Sequence, residues 1–285
     1  MTKYLKLMRV KHWLKNVLVF AAVIFGGKLF DFESMAYCFC AFIIFSLAAS
    51  TVYVINDMAD VEKDRLHPTK CKRPIASGQV SFSQARILMG SLLVFIVILN
   101  YYLLNSLESW VIVIGYVILN IIYSKGAKNI ALLDLGILVL GYILRIYYGA
   151  LVIDVEISGW LYLTVTFAAF YMSLGKRRNE LIILGKDSRK VLKYYTRDFL
   201  DKNMYLCLSL TLMCYAYWCE VVNTSRNNGK MLLTVPLVMI ICMRYSMDVE
   251  TSSSDGDPMN VILNDKILMG LGGIYGILLI CFLYL

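Results

Sequence analysis

Histidine, proline and charge are all scarce in this chain, and each shortage closes off a class of protein. Only two histidines, His12 and His67, occur among 285 residues, so a zinc or iron centre built on imidazole is not expected. The eight cysteines contain no CxxC pair and no Cys/His set at metal spacing; most lie within apolar stretches and read as small packing hydrophobes. Any metal must therefore be held by oxygen. Four prolines leave few breaks, and no Pro/Ser-rich linker, low-complexity tract or short repeat divides the sequence. A single domain over 1–285 is the expectation. Charged residues make up 17% of the chain against 59% apolar, with a mean hydropathy of +0.67. That is too little polar surface to coat a water-soluble globule of this size, so a soluble cytosolic enzyme is not expected.

What is present is a series of apolar stretches. Nine can be drawn, from Val17 to Gly27, Met35 to Ile55, Phe82 to Leu104, Ser109 to Tyr123, Leu132 to Val152, Ile157 to Leu174, Met204 to Val222, Met231 to Met247 and Ile267 to Leu285. Most approach the ~20 residues that carry a helix across ~30 Å of hydrocarbon. The predicted fold is all-α, a polytopic membrane bundle of nine helices. Lys and Arg collect on alternate connections, 22 on one set and three on the other. The basic set belongs on the cytoplasmic side. This puts the N-terminus inside, the C-terminus outside and the protein in the cell (inner) membrane as a multi-pass chain. The first stretch follows a basic start, as a signal peptide would, but lacks a small-x-small cleavage site before Lys28 and is taken as structure.

Chemistry concentrates where the second stretch meets the cytoplasm, in the run Asn56-Asp57-Met58-Ala59-Asp60-Val61-Glu62-Lys63-Asp64. Asp57, Asp60 and Asp64 are spaced i, i+3, i+7, one face of a continuing helix. Like charges so placed repel unless a cation sits among them. Mg²⁺, which takes one or two carboxylates and completes its shell with water and substrate phosphate, suits such a row better than a bare structural ion. Taken alone, the spacing fits a solvated helix end equally well. The residues that follow, His67-Pro68-Thr69-Lys70-Cys71-Lys72-Arg73-Pro74-Ile75-Ala76-Ser77-Gly78, add three cations, two prolines and a closing glycine. They describe a stiffened loop with anion-binding groups. A positive-inside loop explains the cations but not their adjacency to the acids.

The run from Asn56 to Gly78, NDxxDxxxDxxHPxKxxRPIASG, resembles the first signature of the UbiA superfamily of intramembrane transferases. In this form it is similar to the polyprenyl-phosphate phosphoribosyltransferase branch. The start Arg9-Val10-Lys11-His12-Trp13-Leu14-Lys15-Asn16 resembles that branch's RxxxWxKN entry. Tyr123-Ser124 with Lys128 and Asp134 resembles its YSxxLKxxxxxD segment. Leu144-Arg145 with Gly149, the turn Gly175-Lys176-Arg177-Arg178-Asn179-Glu180, and Asp257-Pro258 with Asp265 also fit. The resemblance implies a bundle whose polar cavity faces the cytoplasm and opens sideways to lipid. Members that prenylate aromatic acceptors are expected to carry a second acidic cluster near the sixth connection; here that place holds three cations and a single acid. The departure favours a lipid phosphate as acceptor.

The resemblance thus implies transfer of 5-phosphoribosyl from phosphoribosyl diphosphate to a membrane polyprenyl phosphate, with release of diphosphate. Asp57, Asp60, Asn56 and Asp64 would be the metal ligands, with Mg²⁺ as cofactor and Mn²⁺ as the alternative ion. Lys70 and Arg73 would neutralise the leaving group. Lys176 and Arg177 would hold a phosphate opposite the metal, with Lys11, Lys15, Tyr123 and Lys128 as further binding candidates and Glu180 orienting Lys176 through an i,i+4 pair. Arg145 lies deep in the fifth stretch, where an unpaired Arg costs at least ~2.5 kcal/mol, so it must face the cavity or a partner. Asp134, eleven residues earlier, returns to nearly the same helix face. Both are carried as binding candidates. No nucleic acid partner is implied, and self-association in the bilayer stays open. Two rivals remain, a UbiA-type prenyltransferase joining a prenyl diphosphate to an aromatic or other small acceptor, and a non-enzymatic carrier for an anionic lipid.

Overall fold

The computed structural model describes residues 2–66, 70–104, 106–226, 229–251 and 257–285. His67, Pro68 and Thr69 of the basic loop fall outside them. The described residues are mostly helical, without strand. Eight long helices carry the chain: α1 Phe32–Ala59, α2 Phe82–Leu99, α3 Leu107–Lys125, α4 Leu133–Val152, α5 Gly159–Leu184, α6 Arg197–Arg226, α7 Val235–Glu250 and α8 Lys266–Tyr284. Seven helices among the described residues are long and apolar enough to cross a membrane by length and composition, α5 being the long helix outside that set. The sixth apolar stretch is only the first part of α5, which continues through Lys176, Arg177, Arg178 and Glu180.

The first stretch forms no long α-helix. Residues Val10–Phe20 are a 3₁₀-helix and Ala21–Phe25 a short α-turn. A 3₁₀-helix has three residues per turn, so side chains three apart lie in one row. Trp13, Asn16 and Val19 occupy that row, and the pairing with α1 uses it: the Trp13 indole donates to Ser50 Oγ at 3.0 Å and the Asn16 amide to Ser46 Oγ at 3.0 Å. The serines lie four apart on α1, one helical turn. An apolar count over Val17 to Gly27 cannot register a period of three, which explains the difference from the expected span.

The chain packs as two compact units, 1–125 with 144–156 and 126–143 with 157–285. The boundary falls inside α4. In the first unit α1 is the axis; Ala41, Ile44, Phe45 and Ala48 pack with Val19, Ile96, Val113, Tyr116 and Tyr148. Small residues along α1 let its neighbours approach closely, as membrane helices require. Near the C-terminal end of α1, Leu7, Val54, Val61, Ile75 and Val80 form a second cluster. The helix starts are conventional: Asp31 accepts from the Ser34 amide ahead of α1, and Ser81 and Gln84 form a reciprocal capping box ahead of α2. On α3 the side chains of Val111, Ile114, Ile118 and Ile122 are exposed. An apolar stripe at that spacing turned outward is suited to lipid.

In the second unit α5 and α6 pair, and Leu135, Tyr171, Leu174, Leu200, Met204, Tyr245, Val249 and Leu268 make the core. Ser158 caps α5, and Gly185 ends it at φ 77°. Two 3₁₀ turns, Lys186–Ser188 and Lys190–Tyr194, lead back to α6, and the second sinks Val191 and Leu192 fully into that core.

One contact tests the first unit's packing. A Cβ on Gly149 would stand 1.9 Å from Val19 O, whereas at Gly115 it would meet nothing within 4 Å. Gly149→Ala is expected to destabilise the detergent-purified protein by about 2 kcal/mol, the ordinary cost of overpacking a tight contact. Gly115→Ala should leave the melting temperature unchanged or raise it, by helix propensity.

Candidate active site

The first unit gathers acid and base at the end of α1. The helix stops at Asp60, whose backbone departs from helical geometry at φ −99°, ψ 9°, and a five-residue helix, Val61–Arg65, resumes after it. Asp57 and Asp64 are both buried; Asp60 is half-buried between them, and Asn56 half-buried one position before Asp57. The break keeps the two outer acids together. Arg73 Nη1 donates to Asp57 Oδ1 at 3.1 Å and to Asp64 Oδ2 at 2.7 Å. A second guanidinium joins them, Arg9 Nη2 at 2.6 Å from the same Asp57 Oδ1.

Arg9 was not among the expected site residues. Its backbone is left-handed at φ 52°, ψ 49°, a conformation that a non-glycine side chain adopts at a cost. The next residues are pinned by Trp13 and Asn16 to α1, and the Arg9 guanidinium lies over the Tyr53 ring at 4.6 Å. The only sequence signal for it was its place in the RxxxWxKN run, where the lysines drew attention instead. Lys11 is exposed and Lys15 half-buried on other faces of the 3₁₀-helix. Lys70 opens the exposed Lys70–Lys72 turn, and its carbonyl accepts from the Arg73 amide at 2.9 Å.

For a divalent cation the donor chemistry fits and the number of donors is informative. Two hard carboxylate oxygens reach one cationic group. Among the described residues no three His, Cys, Asp or Glu side chains converge on a metal-sized point. The expected face of three acids is thus broken at Asp60, where the helix ends. Two carboxylates suffice for Mg²⁺ when phosphate oxygens and water fill its remaining positions, but not for a resident structural ion.

Deeper in the same unit Arg145 is buried. It donates through Nε to Asn16 Oδ1 at 2.7 Å and through Nη2 to the Tyr116 hydroxyl at 3.1 Å, with its guanidinium over the Phe45 and Tyr116 rings at 5.2 Å each. Asn16 therefore couples the 3₁₀-helix to both α1 and α4. Tyr123 is half-buried near the end of α3.

The second unit holds a separate network. Asp134 is fully buried; its Oδ2 accepts from Arg177 Nε at 2.7 Å and its Oδ1 from the Tyr195 hydroxyl at 2.6 Å. Tyr195 in turn accepts from the Leu132 amide at 2.8 Å. Burial, then the adjacent Asp134 carboxylate, pushes the Tyr195 hydroxyl well above the ordinary phenol range, so it remains a donor. Arg177, 1% exposed, also donates to Glu180 Oε2 at 2.6 Å, which accepts from Arg189 at 3.3 Å. Glu180 thus serves Arg177 at i,i+3 rather than Lys176 at i,i+4. Lys176 reaches the other way, to Asp257 Oδ2 at 2.8 Å, and Asp257 caps the helix Pro258–Asn264 with its other oxygen. Arg178 pairs with Asp201, and the Asn179 amide donates to Val249 O at 2.6 Å. The basic turn is therefore taken up largely by acids of its own unit. Apart from Glu180, those acids lie 23 to 81 residues away, beyond the reach of a local reading. Lys128 is half-buried at the Ala127–Asn129 turn.

Comparison with known proteins follows the same outline. The model of the UbiA prenyltransferase family matches residues 17–258. A decaprenyl-phosphate phosphoribosyltransferase of Mycolicibacterium smegmatis is 33% identical over 93% of this chain and 87% of its own. The protein of that name from Corynebacterium glutamicum is 30% identical over 93% and 81%. Among solved structures, a UbiA homolog from Archaeoglobus fulgidus bound to GPP and Mg²⁺ superposes with a TM-score of 0.70 at 21% identity, covering 99% of this chain and 98% of that one.

The buried network gives a stability test. Tyr195→Phe removes the donor to Asp134 and the acceptor for the Leu132 amide, and is expected to cost about 2 kcal/mol in thermal unfolding. Asp134→Asn, which leaves a buried guanidinium without one of its counter-charges, should cost about 3 kcal/mol or more. A loss below ~0.5 kcal/mol in both would show the network to be dispensable.

Proposed function

The chain belongs to the UbiA prenyltransferase family, and on that footing we propose that it transfers 5-phosphoribosyl from phosphoribosyl diphosphate to a membrane polyprenyl phosphate, releasing diphosphate. The observation that carries this reading is the identity with phosphoribosyltransferases at 30–33% over nearly the whole chain. The acid–guanidinium cluster of the first unit supports it, because it offers both halves of a metal–diphosphate site. The chain is treated as one UbiA-like domain of nine membrane segments, the first being the 3₁₀ segment, with its N-terminus and site on the cytoplasmic side of the cell membrane. Phosphoribosyl diphosphate is soluble and reaches that side, while the acceptor's tail stays in the bilayer.

Asp57 and Asp64, with Asp60 and Asn56 beside them, would hold Mg²⁺ or Mn²⁺, which when bound draws charge from the departing diphosphate. Arg73, Arg9 and Lys70 place their positive charge against the same group. Each well-positioned donor is typically worth ~3 kcal/mol in the transition state. The anomeric carbon passes through an oxocarbenium-like state and its configuration inverts in a single displacement. The attacking lipid phosphate is already anionic at neutral pH, so the chain must position it rather than deprotonate it, and no general base is assigned. Lys176, whose side chain is 31% exposed, is assigned to a phosphate monoester. Arg177 acts from behind, fixing Asp134 and Glu180. Lys11, Lys15, Tyr123, Lys128 and Arg145 are further substrate-binding residues in this proposal, and self-association of the chain remains part of it.

Membranes containing the protein, supplied with radiolabelled phosphoribosyl diphosphate and polyprenyl phosphate, are expected to place label in the organic extract. Chelation of divalent ions should abolish this, and Asp57→Asn should lower turnover by about 100-fold (~3 kcal/mol) with the folded protein retained. Consumption of a prenyl diphosphate in the presence of an aromatic acceptor, without lipid labelling, would identify the prenyltransferase rival. Indifference to Asp57→Asn and to chelation would point to a carrier.

A further inference from the structure

We propose that Arg9 and Arg73 are resident counter-ions of the acidic row, surrendering Asp57 and Asp64 to a divalent ion only when that ion arrives with a diphosphate. This rests on the metal–diphosphate reading above and adds an order of events to it, in which free metal is refused.

Three observations lead here. Two carboxylates face two guanidiniums, with the three contacts among them between 2.6 and 3.1 Å. The carboxylates are the fixed half: their side chains are 2% and 5% exposed, against 24% for Arg9 and 26% for Arg73. Finally, both guanidiniums bond the same oxygen, Asp57 Oδ1, and Arg73 bridges it to Asp64 Oδ2.

A Mg²⁺ ion sits about 2.1 Å from its ligand oxygens. At Asp57 Oδ1 and Asp64 Oδ2 it would occupy the space that the guanidinium nitrogens now fill. Asp57 Oδ1 already accepts from both guanidiniums, so a metal ion bound to that oxygen displaces at least one of them, and the more exposed partners are the ones that move. Arriving alone, the ion would set its two charges beside two displaced guanidiniums, four positive charges against the three carboxylates of Asp57, Asp60 and Asp64. Arriving with a diphosphate, it brings the missing negative charge and gives each planar guanidinium a new pair of oxygens.

The main chain is built for a side-chain exchange of this kind. Arg73 is held by its own amide to Lys70 O at 2.9 Å and by its carbonyl, which accepts from the Ser77 amide at 2.9 Å. Arg9 is held by the Trp13 and Asn16 pins that follow it, and its guanidinium rests on the Tyr53 ring, which can keep it near after Asp57 is released. Both side chains can therefore move while their backbones stay. Arg9 is then a positioning residue for metal entry as well as a donor to the leaving group.

The test measures the Mn²⁺ retained by the detergent-purified full chain in equilibrium dialysis at matched free Mn²⁺, with and without inorganic pyrophosphate. Wild type is expected to bind Mn²⁺ at least tenfold more tightly with pyrophosphate than without it. Arg73→Gln and Arg9→Gln are each expected to bind Mn²⁺ alone at least tenfold more tightly than wild type, and to gain less from pyrophosphate. Arg73→Lys, which keeps the charge, should stay close to wild type for the metal alone. Unchanged metal-alone affinity in both glutamine variants, or equal wild-type affinity with and without pyrophosphate, overturns the exchange and leaves the metal–diphosphate reading standing. Absence of any binding sensitive to Asp57→Asn in either condition overturns both. If Arg73→Gln does not fold, Arg9→Gln carries the same comparison.

Discussion

Two carboxylates buried at the end of a membrane-embedded helix have to be neutralised, and much of the first unit's local structure follows from how this is done. Asp57 and Asp64 cannot remain close and charged in a poorly solvated place without cations. The cations come from either side of α1 in sequence, Arg9 before it and Arg73 after it. The left-handed turn at Arg9, the 3₁₀-helix that follows and the turn from Lys70 to Lys72 are the backbone conditions for delivering them. Polar pins at Ser46 and Ser50 then fix the 3₁₀-helix against α1.

The second unit answers the same problem differently. Asp134 and Arg177 are almost fully buried and fully partnered, with Tyr195 and Glu180 satisfying the remaining positions. A network in which each member is satisfied rigidifies its surroundings, and removing one member exposes the others to the desolvation cost. In the acidic cluster of the first unit, Arg9 and Arg73 keep about a quarter of their side-chain surface open. The contrast in exposure separates a fixed brace from an arrangement that can be exchanged.

Much of this was legible in the residue order. The apolar stretches locate most of the membrane helices because their length and composition are set by the bilayer, whatever they pack against. The acid row and the following Arg73 were legible because they lie within one local run. Arg9 was not, since its importance depends on a backbone conformation and on a contact 48 residues away. The partners of Lys176 and Arg177 are hidden from the sequence for a related reason. Local spacing offers Lys176 an i,i+4 pair with Glu180, whereas Asp257 and Asp134 reach Lys176 and Arg177 from distant segments. Helix period also misled at the first stretch, where the row formed by Trp13, Asn16 and Val19 repeats every three residues.

That threefold row limits how the N-terminal segment can change in length. At about 2.0 Å of rise per residue, Val10–Phe20 reaches roughly 22 Å, further than an α-helix of the same residue count. Losing or gaining one residue would rotate everything beyond it by about 120° and swing Asn16 away from both Ser46 and Arg145. Losing or gaining three would restore the angle while shifting the row by a full turn. Natural length variation in this segment should therefore come in multiples of three, with a compensating shift of the serines on the helix it grips.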